Sequence, residues 1–280
     1  LTLVGITGTN GKTTTVAILD AIFRAAGYKT GTVGTLGCTV LDQHIPGDRT
    51  TPDAVGLQSV LAEMVQRGVT HAAMEVTSHA LDLDRAWSVS FAAVALTNIT
   101  QDHLDWHGDM DSYFASKAVL FTEYVAFSPD MVGAINLDDP WGRQLAQQAN
   151  CSVTGYSIDA EGEVVAGGLQ LSPSASSFDL HLGRQRLPVR TALIGRFNVY
   201  NCLAAAAACH ALGLDPEAIV AGLESVSHVD GRFERVELGQ PFSVIVDYAH
   251  TPEALADVLK AARGLGPQRL ICVLGCGGDR

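Results

Sequence analysis

The sequence is poor in basic residues and has no C-x-x-C pair of cysteines. Its 280 residues carry 18 Lys and Arg against 30 Asp and Glu, which gives a formal net charge of −12. Because nucleic-acid-binding proteins normally present a basic face, this balance argues against nucleic acid as a partner. The six cysteines form no C-x-x-C pair, so their spacing indicates neither a zinc ribbon nor a disulfide framework.

Long apolar runs are absent as well. No uninterrupted apolar segment approaches the roughly 20 residues of a membrane span, and we therefore expect no membrane partner. Hydrophobic residues make up 47% of the chain and charged residues 17%, a composition that argues against disorder. We predict an acidic, globular, cytoplasmic monomer. Because the chain begins within an apolar strand pattern and ends in a glycine-rich segment, we expect a piece of a longer protein.

Strand and helix patterns alternate along the first half of the chain. Thr51 and Pro52 are typical of an N-cap and a first helical residue, so we expect a helix to begin there. This alternation predicts an α/β fold, with a mostly parallel sheet that is covered by helices on both faces. From short apolar runs and helical spacing, the other predicted elements are strands over residues 3–7, 71–76, 91–96 and 131–135 and helices over 12–26 and 111–121.

The pattern changes between residues 150 and 194. Residues 178–182 alternate between apolar and polar with period two, which predicts a half-exposed antiparallel flank on the main sheet. After this flank we expect a helix over residues 198–212. A new unit follows, with a predicted strand at 242–246, a helix at 252–263 and a strand at 270–274. We therefore predict two domains, 1–233 and 234–280, the second of them incomplete.

A glycine-rich segment joins the first predicted strand to the first predicted helix. Lys12 can reach the β- and γ-phosphates of a nucleotide there, and Thr13 can bind Mg²⁺. Ile6 stands where the common P-loop pattern has glycine, so this is a shorter G-x-x-G-K-T form. Its position between strand and helix nevertheless predicts nucleotide binding. The residues of this loop are Gly8, Thr9, Asn10, Gly11, Lys12, Thr13 and Thr14.

Acidic and histidine side chains follow two of the predicted strands. Glu75 ends one strand, and Asp102, His103, Asp105 and His107 follow the next. The carboxyl edge of a parallel sheet is where ligands bind. Carboxylate and imidazole groups beside a phosphate loop suit Mg²⁺. Zinc is an alternative if these residues are helical, because two of the histidines are spaced i, i+4, and a polar loop with capping residues is another.

Taken together, several segments in a fixed order resemble the Mur ligase family of ATP-dependent amide-bond ligases. The resemblance implies that the chain holds the central ATP-binding domain and the start of a Rossmann-like C-terminal domain that binds the amino acid. The segments are residues 8–14, 50–52, 75–81, 97–105, 113–117, 197–201, 231–234 and 247–252.

The resemblance also implies a role for individual residues. Lys12, Glu75, His103 and Lys117 are the implied catalytic residues. Lys117, carbamylated by CO₂, is expected to hold a second Mg²⁺ with His103, while Thr13 and Glu75 hold the first. Beyond the loop, the implied nucleotide contacts are Asn201, Arg232, Asp247 and His250. The implied contacts to the acceptor substrate are Thr50, Thr51, Thr77 and Arg85.

The form of these segments is most similar to the family branch that extends the peptidoglycan stem peptide by its third residue. That implies the addition of meso-diaminopimelate or L-lysine to UDP-N-acetylmuramoyl-L-alanyl-D-glutamate, through an acyl-phosphate intermediate. A ligase that resembles folylpolyglutamate synthase is the nearest alternative. From other classes, a P-loop NTPase switch and a zinc hydrolase built on His79, His103 and His107 remain open.

Overall fold

A computed structural model describes residues 1–275, and residues 276–280, at the end of the predicted second domain, lie outside this range. Within 1–275, the main sheet has eleven strands and a separate hairpin has two. The main sheet consists of β1 (Thr2–Thr7), β2 (Thr30–Gly34), β3 (Gly37–Val40), β4 (Gln43–Ile45), β5 (His71–Glu75), β6 (Ala93–Leu96), β7 (Val132–Asn136), β8 (Ser152–Ser157), β9 (Val164–Leu171), β10 (Ser176–Leu182) and β11 (Gln185–Thr191).

Helices separate most of these strands. Among the described residues, no helix is both long enough and apolar enough to cross a membrane. The helices are α1 (Lys12–Ala25), α2 (Ala54–Gln66), α3 (Ser78–Asp82), α4 (Leu104–His107), α5 (Met110–Thr122), α6 (Pro140–Gln148), α7 (Arg196–Ala211), α8 (Pro216–Ser225) and α9 (Pro252–Gly264).

The middle of the sheet is parallel, as the alternating pattern predicts. The strand order is β11-β10-β9-β8-β7-β6-β1-β5-β2-β3-β4. All neighbours from β9 to β2 pair in parallel. The carboxyl ends of β1, β5 and β6 therefore meet at one edge, which places the loops that follow them side by side.

The predicted antiparallel flank is shorter than expected. The antiparallel pairs there are β9–β10 and β10–β11. β8 is not part of the antiparallel flank, because it pairs in parallel with β7 and with the start of β9. The opposite edge carries a second antiparallel flank, β3 and β4, which the sequence pattern did not predict. Both ends of the parallel sheet are thus extended by hairpins.

Apolar layers cover both faces of the sheet, because neighbouring residues of each strand point to opposite sides. On β1, Val4 faces α1, α7 and α8, whereas Leu3 faces the layer of α2, α5 and α6. α7 carries buried alanines from Ala204 to Ala208. Their small side chains allow this helix to lie close to the sheet.

The helix that was expected to begin at Thr51 begins at Ala54, so the Thr51 and Pro52 assignment is wrong. Asp53 is the N-cap, and its carboxylate accepts a hydrogen bond from the Gly56 amide at 2.9 Å. The Thr51 hydroxyl instead donates to the carbonyl of Glu75 at 2.8 Å. The same hydroxyl accepts a hydrogen bond from the Thr77 amide at 3.2 Å, so its contacts are with the end of β5 and the residues after it rather than with α2.

The start of the predicted second unit is only partly as expected. β12 (Glu234–Val236) and β13 (Val244–Val246) form the antiparallel hairpin, and α9 follows. The strand that was expected over residues 270–274 is wrong, because those residues form no strand pairing. An apolar run forms a strand only where a neighbouring strand accepts its hydrogen bonds.

Candidate active site

The phosphate loop lies between β1 and α1, at the carboxyl edge of the sheet. Gly11 has φ 91°, and a Cβ there would lie 2.2 Å from Oδ1 of Asn201. This close approach requires glycine, and it brings Asn201 of α7 against the loop. The Asn10 carbonyl accepts hydrogen bonds from Thr97 Oγ1 at 2.6 Å and Asn98 Nδ2 at 3.0 Å. The segment after β6 therefore fixes the loop from the other side.

Lys12 bends back over its own loop. Its Nζ donates to the carbonyl of Gly8 at 2.9 Å and to that of Thr9 at 2.7 Å. Burial lowers the pKa of Lys12, while the carboxylates of Glu75 and Asp102 act in the opposite direction. The Lys12 amino group thus lies on the loop, where it can meet phosphate oxygens.

Arg232 reaches the loop from the far side of the sequence. Its Nη2 donates to the Thr13 hydroxyl at 3.0 Å. The guanidinium group also lies over the ring of Tyr248, 4.6 Å from the ring centroid. The hydrogen bond to Thr13 joins the region next to β12 and β13 to the start of α1. Arg232 therefore reaches the phosphate loop, and a direct contact from it to a nucleotide stays a prediction.

Glu75 is buried where β5 ends, with 1% of its surface exposed. Its carboxylate accepts hydrogen bonds from the Thr35 amide at 2.7 Å and the Thr35 hydroxyl at 3.2 Å. These two bonds satisfy part of the carboxylate and leave further oxygen lone pairs. A buried carboxylate of this kind suits a hard cation such as Mg²⁺.

The four residues expected to bind the acceptor lie together beside Glu75. The Thr50 hydroxyl is 3.0 Å from the Thr35 hydroxyl, which itself donates to Glu75. The Thr77 amide donates to the Thr51 hydroxyl at 3.2 Å, and the two hydroxyls are 3.5 Å apart. Arg85 Nη1 lies 3.4 Å from the Thr51 carbonyl. The hydroxyls of the three threonines and the guanidinium of Arg85 thus form one cluster, which we call the acceptor group.

His103 precedes α4 in a left-handed conformation, with φ 53°. Its amide donates to the Asp102 carboxylate at 2.9 Å, and its Nε2 lies 3.4 Å from the same carboxylate. The ring of His79 packs edge-on against it, with ring centroids 4.6 Å apart. An imidazole with an acidic neighbour is well suited to bind a metal ion.

Lys117 is buried on α5, with 1% of its surface exposed. Its Nζ donates to the Gly8 carbonyl at 3.0 Å and lies 4.6 Å from the centroid of the Tyr113 ring. Burial strongly lowers the pKa of Lys117, and the nearby charge of Lys12 lowers it further. Its amine is therefore far more often neutral than that of an exposed lysine.

Comparison with known proteins agrees with this geometry. A family model described as "Mur ligase middle domain" matches residues 6–209. The chain belongs to the Mur ligase family. A second model, "Mur ligase, glutamate ligase domain", matches residues 231–280.

Individual Mur ligases match over the whole chain. A UDP-N-acetylmuramoyl-L-alanyl-D-glutamate–2,6-diaminopimelate ligase of Solibacter usitatus is 44% identical over 280 residues. One of the same name from Syntrophomonas wolfei is 44% identical over 278 residues, or 99% of this chain. The chain spans 56% and 57% of the length of these two relatives. A solved structure of an enzyme with that name has a TM-score of 0.83 at 31% identity, over 100% of this chain and 57% of its own.

Two of the predicted nucleotide contacts lie farther along this Mur ligase chain. The Asp247 carboxylate accepts hydrogen bonds from the amides of Phe233 and Ala249, each at 2.7 Å. Nδ1 of His250 is 2.9 Å from the Tyr248 carbonyl. Asp247 thus holds the turn that contains Arg232 and Phe233, and its contacts within the chain are to backbone amides. Direct nucleotide contacts by Asp247 and His250 stay predictions.

Sequence reasoning missed several residues that build the site. Tyr113 is one, since its hydroxyl lies 3.1 Å from the Thr9 hydroxyl beneath the loop. Thr35 is another, because it supplies both hydrogen bonds to the Glu75 side chain. Tyr113 lies four residues before Lys117, so helical spacing could have indicated it. Thr35 lies in a short turn between β2 and β3, and no periodic pattern marks that turn.

The zinc alternative has no support in the geometry. Within residues 1–275, no three His, Cys, Asp or Glu side chains are grouped closely enough to hold a metal ion together. The rings of His79, His103 and His107 pack against one another instead. The ring centroid of His79 lies 4.6 Å from that of His103 and 5.6 Å from that of His107, at steep angles.

Proposed function

We propose that the protein is an ATP-dependent ligase that adds a diamino acid to UDP-N-acetylmuramoyl-L-alanyl-D-glutamate in peptidoglycan synthesis. The observation that carries this proposal is the buried amine of Lys117 on the Gly8 carbonyl of the phosphate loop. It unites a phosphate-binding loop with a lysine that is suited to modification. The names of the relatives favour 2,6-diaminopimelate over lysine as the added residue.

We also propose that the first domain ends at residue 233 and that the second begins at residue 234.

The proposed reaction has two steps. The side-chain carboxylate of the D-glutamyl residue attacks the γ-phosphorus of ATP, which forms an acyl phosphate and releases ADP. The amine of the diamino acid then attacks the acyl carbon, loses a proton and releases phosphate as the amide bond forms. Lys12 would stabilise the charge on the phosphoryl group during transfer. Because the reaction consumes ATP, we expect it to take place in the cytoplasm.

The acceptor would lie over the group formed by Thr50, Thr51, Thr77 and Arg85. Arg85 supplies a cation for an anionic ligand, and the three hydroxyls can donate to or accept from its polar groups. The hydrogen bond from Thr51 to the Glu75 carbonyl links this group to the end of β5. That link supports a carboxylate of the acceptor close to the phosphate loop, as in-line transfer requires.

The donor chemistry of the site fits two magnesium ions. Thr13 and Glu75 offer a hydroxyl and a buried carboxylate for one ion, and His103 with a modified Lys117 would hold the other. Bound Mg²⁺ would neutralise negative charge on the phosphate groups. Arg232 donates to the Thr13 hydroxyl in this structure, so its guanidinium must move away when Thr13 binds a cation.

We propose that CO₂ carbamylates Lys117. The lone pair of the neutral amine attacks the carbon of CO₂, one N–H proton passes to water, and a carbamate anion remains on Nζ. The lowered pKa of Lys117 favours this step, because only the neutral amine has a free lone pair. The product replaces a cation near Lys12 with an anion that can bind metal.

The test is ligation assayed with ATP, Mg²⁺, the muramoyl-dipeptide and a panel of amino acids. We expect diaminopimelate to be joined and Lys117→Ala to lose activity by about 10²-fold or more, with partial rescue by short carboxylic acids. Lys260→Ala, on the exposed face of α9, is the matched control and should keep wild-type activity. Unchanged turnover in Lys117→Ala would contradict the role of the carbamate.

The same panel distinguishes the alternatives. Glutamate joined to a folate would indicate a ligase of the folylpolyglutamate type. Rapid hydrolysis of ATP without any acceptor would favour an NTPase switch. Either result would overturn the proposed function.

A further inference from the structure

The side chains of a serine, a histidine and an aspartate form a row of contacts beside the proposed site, with the histidine in the middle. His107 ends α4, and its Nε2 lies 3.0 Å from the Ser78 hydroxyl. Its Nδ1 lies 3.4 Å from a carboxylate oxygen of Asp82. Ser78 and Asp82 are the first and the last residue of α3. One ring therefore holds both ends of a neighbouring helix.

This order of groups resembles a hydrolytic triad, but the burial argues against that role. The His107 side chain is 2% exposed, and Ser78 is buried as well. A nucleophilic serine needs an open approach for its substrate. Burial lowers the pKa of His107, so its ring is neutral at neutral pH. When the proton is on Nδ1, the nitrogen that faces Asp82, Nε2 can accept a hydrogen bond from the Ser78 hydroxyl.

The helices joined by His107 carry different parts of the proposed site. α3 follows Thr77, whose hydroxyl is its N-cap and belongs to the acceptor group. α4 follows His103, whose left-handed backbone conformation is unfavourable for a residue with a side chain. Such a conformation persists only where the surroundings hold it. The bonds from His107 to α3 supply a restraint four residues beyond His103.

Two further contacts reinforce this arrangement. Trp106 Nε1 donates to the Asp82 carboxylate at 2.9 Å, which adds a second bond between α4 and α3. The Ser116 hydroxyl donates to the Ser78 carbonyl at 3.1 Å and so joins α3 to α5. Ser116 directly precedes Lys117. Ser78 therefore lies at a junction between the helix after His103 and the helix that carries Lys117.

We propose that His107 is a positioning residue, which fixes α4 on α3 through Ser78 and Asp82 and thereby holds His103 in place beside Lys117 and the acceptor group. This inference rests on the proposed function, in which His103 and Lys117 share a metal ion. His107 itself does not contact substrate. Its loss displaces a metal ligand and leaves the nucleotide loop intact.

The test separates the two bonds of the ring. The amide of His107→Asn occupies the place of Nδ1 and can still bind Asp82, whereas His107→Gln reaches toward Ser78. We expect the Mg²⁺ concentration for half-maximal ligation to rise about 10- to 100-fold when the Ser78 bond is lost. KM for ATP should stay within twofold of wild type, and saturating Mg²⁺ should restore most of kcat.

A double variant tests the Ser78 contact directly. Ser78→Ala and His107→Asn remove the same hydrogen bond, so the double variant should need no more Mg²⁺ than His107→Asn alone. Additive effects would contradict the proposed bond. His71→Asn is the matched control. This ring stacks on Tyr28 and lies at the amino end of β5, whereas the proposed site lies at the carboxyl end. It should leave the Mg²⁺ dependence unchanged.

Binding of Mn²⁺ in the presence of a non-hydrolysable ATP analogue, followed by electron paramagnetic resonance, decides the inference independently of ligation. Weaker binding of one Mn²⁺ in His107→Asn supports the positioning role, even if the wild-type protein ligates nothing and the proposed function fails. Unchanged Mn²⁺ binding in both His107 variants overturns it. So does a fall in melting temperature and activity with an unchanged dependence on metal, since that pattern indicates general destabilisation.

Discussion

At the residue scale, Lys117 combines features that are unfavourable for stability. Its amine is buried, it donates a hydrogen bond to the Gly8 carbonyl, and the charge of Lys12 acts on it from nearby. Burial of a lysine favours the neutral form at the expense of folding free energy. The chemistry proposed for Lys117 benefits from the same neutral form. The cost to stability and the reactivity thus have one physical cause.

Lys117→Met should therefore raise the free energy of unfolding at neutral pH. The folded pKa of Lys117 is lowered, so the unfolded chain binds more protons between that pKa and the ordinary value, and stability increases with pH across this window. The variant should lose that part of the pH dependence. Each kcal/mol gained raises the melting temperature by about 2–4 °C.

Thermal unfolding between pH 6 and pH 10, without bicarbonate, measures this effect. Lys260→Met is the control, since the Lys260 side chain is 79% exposed. A variant at residue 117 that is less stable than wild type at neutral pH would show that the buried amine stabilises the fold.

At the element scale, the contact between α1 and α8 depends on a residue without a side chain. A Cβ at Gly222 would lie 2.4 Å from Cα and 2.6 Å from the backbone nitrogen of Ile22. Neither atom can move without displacing α1, the helix that begins with Lys12 and Thr13. The packing of α8 therefore supports the helix that carries the phosphate loop.

Gly222→Ala should destabilise the protein by about 1–3 kcal/mol, although alanine is the better helix former. Gly264 ends α9, and a Cβ there would meet no atom within 4 Å. Gly264→Ala is thus the matched control and should be neutral or slightly stabilising. Urea unfolding of both variants gives the comparison. Equal stability of the two would mean that α8 can shift without cost.

Sequence patterns predicted the elements whose residues repeat regularly. α1 was predicted almost to its ends, because its apolar residues recur at helical spacing and are buried. β3 and β4 escaped prediction, since both are short and neither alternates between buried and exposed residues: β3 is largely buried and β4 is largely exposed. The loop lysine and Glu75 were found from their positions after strands. Thr35 holds Glu75 and Tyr113 contacts Thr9 of the loop, and both contacts join residues distant in sequence.

At the scale of the whole molecule, the phosphate loop touches segments from nearly the full length of the chain. Asn98 follows β6, Lys117 lies on α5, Asn201 on α7 and Arg232 beyond α8, yet each contacts residues 8–14. A ligand that binds this loop therefore stabilises many elements at once. Its binding free energy adds to the free energy of unfolding of the entire fold.

ATP with Mg²⁺ should accordingly raise the melting temperature of the chain. At a free ligand concentration of 100 times Kd, the expected stabilisation is about 2.7 kcal/mol. Lys12→Ala should abolish the shift in melting temperature. Lys29→Ala should retain it, because Lys29 directly precedes β2 at the end of the strand away from the phosphate loop. Differential scanning fluorimetry with and without nucleotide measures both. A full shift in Lys12→Ala would contradict the role of the loop.

Lys12 donates hydrogen bonds to the carbonyls of Gly8 and Thr9. These carbonyl oxygens compete with any arriving anion for the amino group of Lys12. An arriving anion must replace two bonds that the loop already makes with its own cation. A triphosphate can do so, because it also meets the helix terminus and Arg232. Inorganic phosphate offers fewer replacements. The two hydrogen bonds of Lys12 therefore favour a triphosphate over inorganic phosphate at this loop, because only the larger anion makes further contacts.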